Sequence, residues 1–221
     1  MGKSAAVEHM QKIGVHDVWA TPLENIGGKS LQSWFDKFGI HPDLDVCATS
    51  NNKKCKYFFT KHHNDTADPT CMGLNGLERE WHHNYFANFP YSEISKWMEH
   101  AYYQSRVNNV SGIILCFAKT DTRWWWNWVM GEKHEKFGPI VETYWIKGRV
   151  RFLDSSFDNC CLPSLKGKQG KNCSPYPSCF VVFRPRNIGD KREMQFFAKH
   201  HKDKQLFSDP QIYSWSSGLR Q

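Results

Sequence analysis

The segment "YFANFPYSEISKWM" (residues 85–98) closes an apolar run with an amide, a bulky aromatic, a rigid proline and a tyrosine, then enters an amphipathic pattern. Four adjacent residues there can do chemistry together. The Asn88 carboxamide oxygen and the Phe89 backbone carbonyl can both accept hydrogen bonds from one exocyclic amine. Two acceptors aimed at an NH2 group help its lone pair attack an electrophile above the plane. Pro90 fixes φ and keeps that carbonyl from swinging away. Tyr91 offers an aromatic face to the base that bears the amine. The competing reading is a strand-ending turn with Tyr91 packed in the core.

Such a lip needs a sheet behind it. "SLQSWFDKFGI" places Leu31, Trp34, Phe35 and Phe38 on one helical face, with Gly39 as the C-cap. "DLDVCA" (43–48) and "CKYFFT" (55–60) are predicted strands, and residues 62–84 a polar loop with helical character near "LERE". "HNYFANFPY" is a strand running into a turn, and "SEISKWMEHAYYQSR" a helix capped by Ser92, with Ile94, Trp97, Met98, Ala101 and Tyr102 as its apolar stripe. "SGIILCFA" lacks alternation, so it is a strand covered on both faces. A helix over "TRWWWNWVMGEK" follows, then "PIVETYWI" and "RVRFL" as strands joined by a turn at Gly148, and "CFVVFRP" as a last strand ended by Pro185. Strands alternating with helices predict an α/β fold, a doubly wound mixed sheet with an antiparallel edge. In such a sheet ligands sit beyond the carboxyl ends of the strands, where Asn88 to Tyr91 lie.

The 221 residues suffice for one domain with a full core. A formal charge of +7 suits a polyanionic partner, and ten tryptophans with fifteen phenylalanines supply rings for a core or for base stacking. No apolar run reaches the length of a membrane span and "MGKSAAVEHMQKIG" has no signal-peptide core, so a reducing cytoplasm is expected. The eight cysteines then read as thiols. Two Cys/His sets, around Cys55 to His83 and Cys160 to Cys173, lack paired Cys-x2-Cys spacing, so no metal is expected. Paired carboxylates, a nucleophile elbow and a Gly-rich phosphate loop are absent, which argues against hydrolases and nucleotide-dependent enzymes. Oligomeric state leaves no trace in the sequence.

The four-residue lip matches the amino-methyltransferase pattern Asp/Asn/Ser-Pro-Pro-Tyr/Phe at every position but 89. Together with "VWATP" (18–22), "LDVCATSNNKKC" (44–55), "YFFT" (57–60), "NGLEREW" (75–81), "TDTRWW" (120–125), "KGRVRF" (147–152) and "PYPSCFVVF" (175–183), the chain resembles the phage-type DNA N6-adenine methyltransferases, the Dam-like family. The matches run in one order over about residues 17–184. The resemblance implies a class I (Rossmann-like) S-adenosylmethionine-dependent methyltransferase fold, S-adenosylmethionine as donor, and adenine in double-stranded DNA as acceptor, flipped from its helix. It implies a methyltransferase domain over 17–185 with insertions near 61–75 and 155–174, a leader at 1–16, and a charged C-terminal helix and tail at 186–221. Position 89 is Phe where the family usually has Pro, and Asn75 stands where an acidic residue is common.

The same resemblance places the donor at the turn of Asp45, Cys47 and Ala48, with Trp19, Thr21 and Pro22 as a second wall. "LDVCATSNN" has no glycine, so a connection in which Asp45 bonds its own loop stays open. Arg123 is a candidate phosphate contact, the neighbouring tryptophans being core, and Lys147, Arg149 and Arg151 form a candidate basic stripe for DNA. Two alternatives remain: an RNA adenine methyltransferase, prompted by Phe89, and a nucleic-acid-binding protein with a decayed donor site.

Overall fold

A computed structural model describes residues 19–135, 138–154, 174 and 176–186. The expected leader, the 155–173 stretch with Cys160, Cys161 and Cys173, Pro175, and the charged segment from 187 onward lie outside the described residues. The elements run β1 (Trp19–Ala20), α1 (Leu31–Phe38), β2 (Leu44–Asp45), β3 (Tyr57–Thr60), β4 (Cys71–Leu74), β5 (Tyr85–Ala87), α2 (Ile94–Val107), β6 (Gly112–Phe117), α3 (Arg123–Trp128), β7 (Ile140–Trp145), β8 (Leu153–Asp154) and β9 (Ser178–Arg184). Seven strands form one sheet in the order β4-β3-β2-β5-β6-β9-β7. The first five pair in parallel, and β9 runs antiparallel to both of its neighbours. This is a mixed α/β protein with a mostly parallel sheet.

Each face of the sheet carries its own apolar layer. Ser30 accepts from the Ser33 amide at 3.1 Å to start α1, and Gly39 at φ 62 ends it. Leu31, Trp34, Phe35 and Phe38 then pack with Phe86, Ile113, Leu115, Phe117, Phe180 and Val182. On the other face, Trp97, Met98, Ala101 and Tyr102 of α2 and Trp124, Trp125 and Trp128 of α3 pack on Ala87, Ile114, Cys116, Cys179 and Val181. Successive residues of β6 thus serve opposite layers, which is why its sequence shows no alternation.

Four expectations need correction. The polar 62–84 loop contains β4, an edge strand paired in parallel with β3; its "CMGL" is short, Gly-bearing and only half-buried, so no period marks it. The predicted hairpin between 140–146 and 149–153 does not form. The wholly buried β9 offers β7 a six-pair ladder instead, and only Leu153 and Asp154 pair, with Ala20 and Trp19 of β1. The antiparallel strand is β9, one place inside the edge. Ser92 does not cap α2; it is exposed within a 3-10 turn (Tyr91–Glu93) that follows the fixed φ of Pro90.

Gly112 pairs with Tyr85 across β5 and β6, and a Cβ at Gly112 would lie 2.0 Å from Tyr85 Cζ. Tyr85 cannot easily yield, since its hydroxyl is tied to Ser105 at 2.9 Å and to the Ala101 carbonyl at 3.2 Å. Gly112→Ala is therefore expected to lower unfolding stability by about 3 kcal/mol, read from the urea midpoint. An unchanged midpoint would mean that Tyr85 moves aside at no cost.

Candidate active site

The lip begins where β5 ends. Phe89 is 1% exposed, and its ring stacks on Trp97 of α2 at 5.1 Å and 19°. Trp97 in turn stacks on Trp81 at 6.4 Å. The Phe side chain therefore belongs to the core, and position 89 offers the site its backbone. Tyr91 stacks on Phe117 at 3.9 Å and 3°, so one of its ring faces is taken. Its hydroxyl donates to Asn88 Oδ1 at 3.4 Å, and burial holds its phenol well above the usual range. A carboxamide oxygen has two lone pairs, so this bond does not exclude an amine. From the β2 side, the Cys47 thiol donates to the Asn88 carbonyl at 3.4 Å. Burial and the Asp45 carboxylate push that thiol's pKa well up, so it keeps the proton it donates.

A cleft of about 610 Å³ opens beside this contact, beyond the ends of β2 and β3. Val46, Ala48, Thr60, Gly76, Asn88 and Trp97 are among its walls. Gly76 is required there, because a Cβ would sit 2.3 Å from the Val46 carbonyl. The outer wall is clipped by Asp65, which accepts from Ser50 Oγ at 2.8 Å and Thr60 Oγ1 at 2.9 Å. Asp68 binds Lys53 at 2.6 Å, and that ammonium holds its carboxyl down at about 2.

On the far side of Cys47 and Asn88 lies a smaller recess of about 230 Å³, lined by Ala20, Thr21, Asp45, Asn52, Lys54 and Phe86. Thr21 is 2% exposed, and its hydroxyl has no hydrogen-bond partner among the described residues. Trp97 lines the larger cleft, and its buried Nε1 likewise has none among them. Natural proteins seldom leave such groups unmatched away from a ligand or water. Asp45 accepts from the Lys54 amide at 3.0 Å and more weakly from the Cys47 amide at 3.5 Å. It therefore does bond its own loop, as the plainer reading had it, and it faces the recess rather than the larger cleft.

The structure thus brings together Thr21, Asp45, Cys47, Ala48 and Asn88 around two adjoining cavities. Pro22 is buried next to Thr21, and the Trp19 backbone pairs with Asp154, its side chain lying outside the described residues. Arg123, Lys147, Arg149 and Arg151 are all exposed and line neither cavity. Arg149 and Arg151 are not on a strand, yet Val150 and Phe152 are buried between and after them, so the in-out alternation survives without a ladder. Sequence reasoning missed Thr60, Gly76 and Trp97. The rule that ligands sit at strand ends, applied to β3 as well as β5, points to Thr60. Among the described residues no cluster of His, Cys, Asp or Glu is placed to hold a metal, and no helix is long and apolar enough to cross a membrane.

The model of a protein family described as DNA N-6-adenine-methyltransferase (Dam) matches residues 9–205. No curated protein matches the chain.

Burial raises the Asp45 carboxyl to about 6 against the pull of its two amide donors. The folded chain then holds this proton more tightly than the unfolded chain, whose value is near 3.8. Stability contributed here is full below about pH 4, declines as pH rises, and is gone above about pH 6, a swing of up to about 3 kcal/mol. Asp45→Asn should flatten that decline in unfolding curves taken from pH 4 to 7. A mutant that keeps the wild-type slope would place the titration elsewhere.

Proposed function

The chain belongs to the DNA N-6-adenine-methyltransferase (Dam) family, and we propose that it transfers a methyl group from S-adenosylmethionine to the exocyclic amine of an adenine flipped from DNA. Membership implies DNA adenine-N6 methylation; the donor, the flipping and the residue roles are the proposal. The observation that carries it is the Asn88 to Tyr91 lip, whose backbone is tied through Cys47 to the rim of a cleft beyond the ends of β2 and β3. The sheet order and its reversed penultimate strand support a class I, Rossmann-like assignment. The domain would span 17–185, with 1–16 and 186–221 as appendages.

Three features support a donor in these cavities: a floor only glycine allows at Gly76, and the Thr21 hydroxyl and Trp97 indole, both without a partner among the described residues. Val46 to Thr49, Thr60, Gly76 and Trp97 would hold it on one side, with Thr21, Pro22 and Asp45 on the other. S-adenosylmethionine supplies there a sulfonium-bound methyl electrophile. Asn88 Oδ1 and the Phe89 carbonyl would accept from N6, aligning its lone pair along the direction of transfer. Orientation of this kind replaces a bimolecular encounter and supplies much of the rate. Tyr91, backed by Phe117, would hold the base on its remaining face, offsetting the few kcal/mol of unstacking. Arg123, Lys147, Arg149 and Arg151 would contact phosphates.

Asn88→Ala is expected to cut kcat by at least ~100-fold, the scale of one lost polar anchor for a reacting group, with donor affinity unchanged. Thr21→Val should do the reverse, weakening donor binding about fivefold for one neutral hydrogen bond and sparing DNA affinity. Label from S-adenosylmethionine offered separately to DNA and RNA, followed by base-modification sequencing of the DNA, reads out acceptor and base together. Label in RNA alone, or in neither polymer, overturns the proposal.

A further inference from the structure

Phe117 ends strand β6, and its ring meets those of Tyr91, Phe152 and Tyr176. Tyr91 stacks on it at 3.9 Å, Phe152 meets it edge-on at 6.0 Å, and Tyr176 leans on it at 5.6 Å and 47°. These rings all pack with the α1 layer, so they share one face of the sheet. Over the Tyr176 ring lies the ammonium of Lys119, 4.4 Å from its centre. Other lysines lie over rings too, Lys37 over Trp34 for example, but this ring touches the residue that backs Tyr91.

Both partners are fixed from behind. The Ala118 amide donates to the Pro177 carbonyl at 2.8 Å, which ties the Tyr176 segment to the end of β6. The Lys119 amide donates to the Phe117 carbonyl at 2.9 Å, and the Lys119 carbonyl accepts from the Thr122 amide at 3.1 Å and hydroxyl at 2.7 Å. Half-buried on a pinned backbone and laid against a ring, this lysine has given up much of its rotamer freedom before any ligand arrives. Yet among the described residues no carboxylate pairs with it, and Asp121, two residues on, is exposed and bridges to no cation. Exposed Arg151 precedes Phe152 in the chain, so a second cation stands beside the same ring cluster.

We propose that Lys119, aimed by Tyr176, binds a backbone phosphate of the DNA whose target base meets Tyr91. Charge complementarity selects the ligand: an ammonium without an internal anion, on the face that carries the candidate base pocket, meets the polyanion brought to that pocket. A ring can hold a lysine in place but cannot neutralise it, whereas a phosphate oxygen does both through a charge-assisted hydrogen bond. Such a contact fixes the register of the protein on the duplex and reads no sequence. It is distinct from the contacts assigned to Arg123, Lys147, Arg149 and Arg151, and it rests on the reading of the chain as acting on DNA.

The test measures binding, over a range of salt, of a duplex that wild type methylates, for wild type, Lys119→Ala, Lys119→Arg and Tyr176→Leu. Lys119→Ala should raise the DNA Kd about tenfold, the low end for a hydrogen bond to a charged group. It should also flatten the salt slope by about one phosphate contact, with S-adenosylmethionine affinity unchanged. Lys119→Arg should keep the wild-type slope. Tyr176→Leu keeps the charge and the slope but should raise Kd about threefold, because the ammonium is no longer aimed. A second arm uses duplexes with one neutral methylphosphonate linkage at a time, scanned along both strands. One linkage should weaken wild type about tenfold and leave Lys119→Ala no worse, the non-additivity of two groups in contact. A Lys119→Ala protein with the wild-type slope, or one that every linkage weakens as much as it weakens wild type, overturns the phosphate contact and leaves the DNA reading standing. A wild type that methylates no DNA fails the underlying reading, and this contact with it.

Discussion

Three buried rings tie the Asn88 to Tyr91 lip to the neighbouring cleft. Phe89 lies on Trp97, Trp97 lies on Trp81, and each is no more than 1% exposed. Ring pairs of this kind contribute about 0.5–1.5 kcal/mol each beyond their burial, but position is their larger effect here. Phe89 is the second residue of the lip, and Trp97 is at once the floor of α2 and a wall of the cleft. Trp81 donates its indole proton to the Gly76 carbonyl at 2.9 Å, and its amide to Gln104 of α2 at 2.7 Å. One column of aromatics therefore sets the height of the lip against the glycine floor. A proline at position 89 would stiffen the lip's backbone; the phenylalanine instead anchors it through its side chain.

Around that column the polar groups divide by burial. The exposed clip Lys61–Glu93 holds its loops only weakly, as surface ion pairs do, while Lys53–Asp68 is half-buried. Asp45 is different, because it is a nearly buried carboxylate with two backbone donors and no ion-pair partner at its side chain among the described residues. It fixes the turn after β2, where nucleotide-binding sheets carry a glycine-rich loop. The price is a charge whose solvation is lost, and the small recess in front of it is where a ligand's cation could restore some of that solvation.

The central fold was legible where burial imposed a pattern. The stripe of α1 and the unbroken apolar runs of β6 and β9 each have a single stable reading, and the structure adopts it. Where partners compete, pattern fails. Val150 and Phe152 alternate with arginines as a strand would, yet β7 had a longer ladder available on β9, so the local hairpin lost. Strand β4 lacked a period because an edge position buries only part of each residue. The lip could be read residue by residue, since Asn88 to Tyr91 are contiguous. The cleft could not, because Val46, Thr60 and Gly76 come from three strand ends and converge only once the sheet order is known.

That order also explains why the two halves of the site meet where they do. From β2 the chain first builds outward on one side, through β3 to β4, and then crosses to lay β5 on the other. The loops that leave β2 and β5 must diverge, and a crevice opens between their carboxyl ends. Cys47 follows β2 and Asn88 follows β5, so their contact bridges the two strand ends. Most residues lining the two cavities come from the β2 to β4 side or from the Thr21 segment folded over it, with Asn88 and, from α2, Trp97 facing them, while the lip and its aromatic backing come from β5 and β6. A molecule on one side and a base on the other would meet beside that thiol–carbonyl bridge. Group transfer between them is what such a topology is built to permit, whatever the loops outside add in specificity.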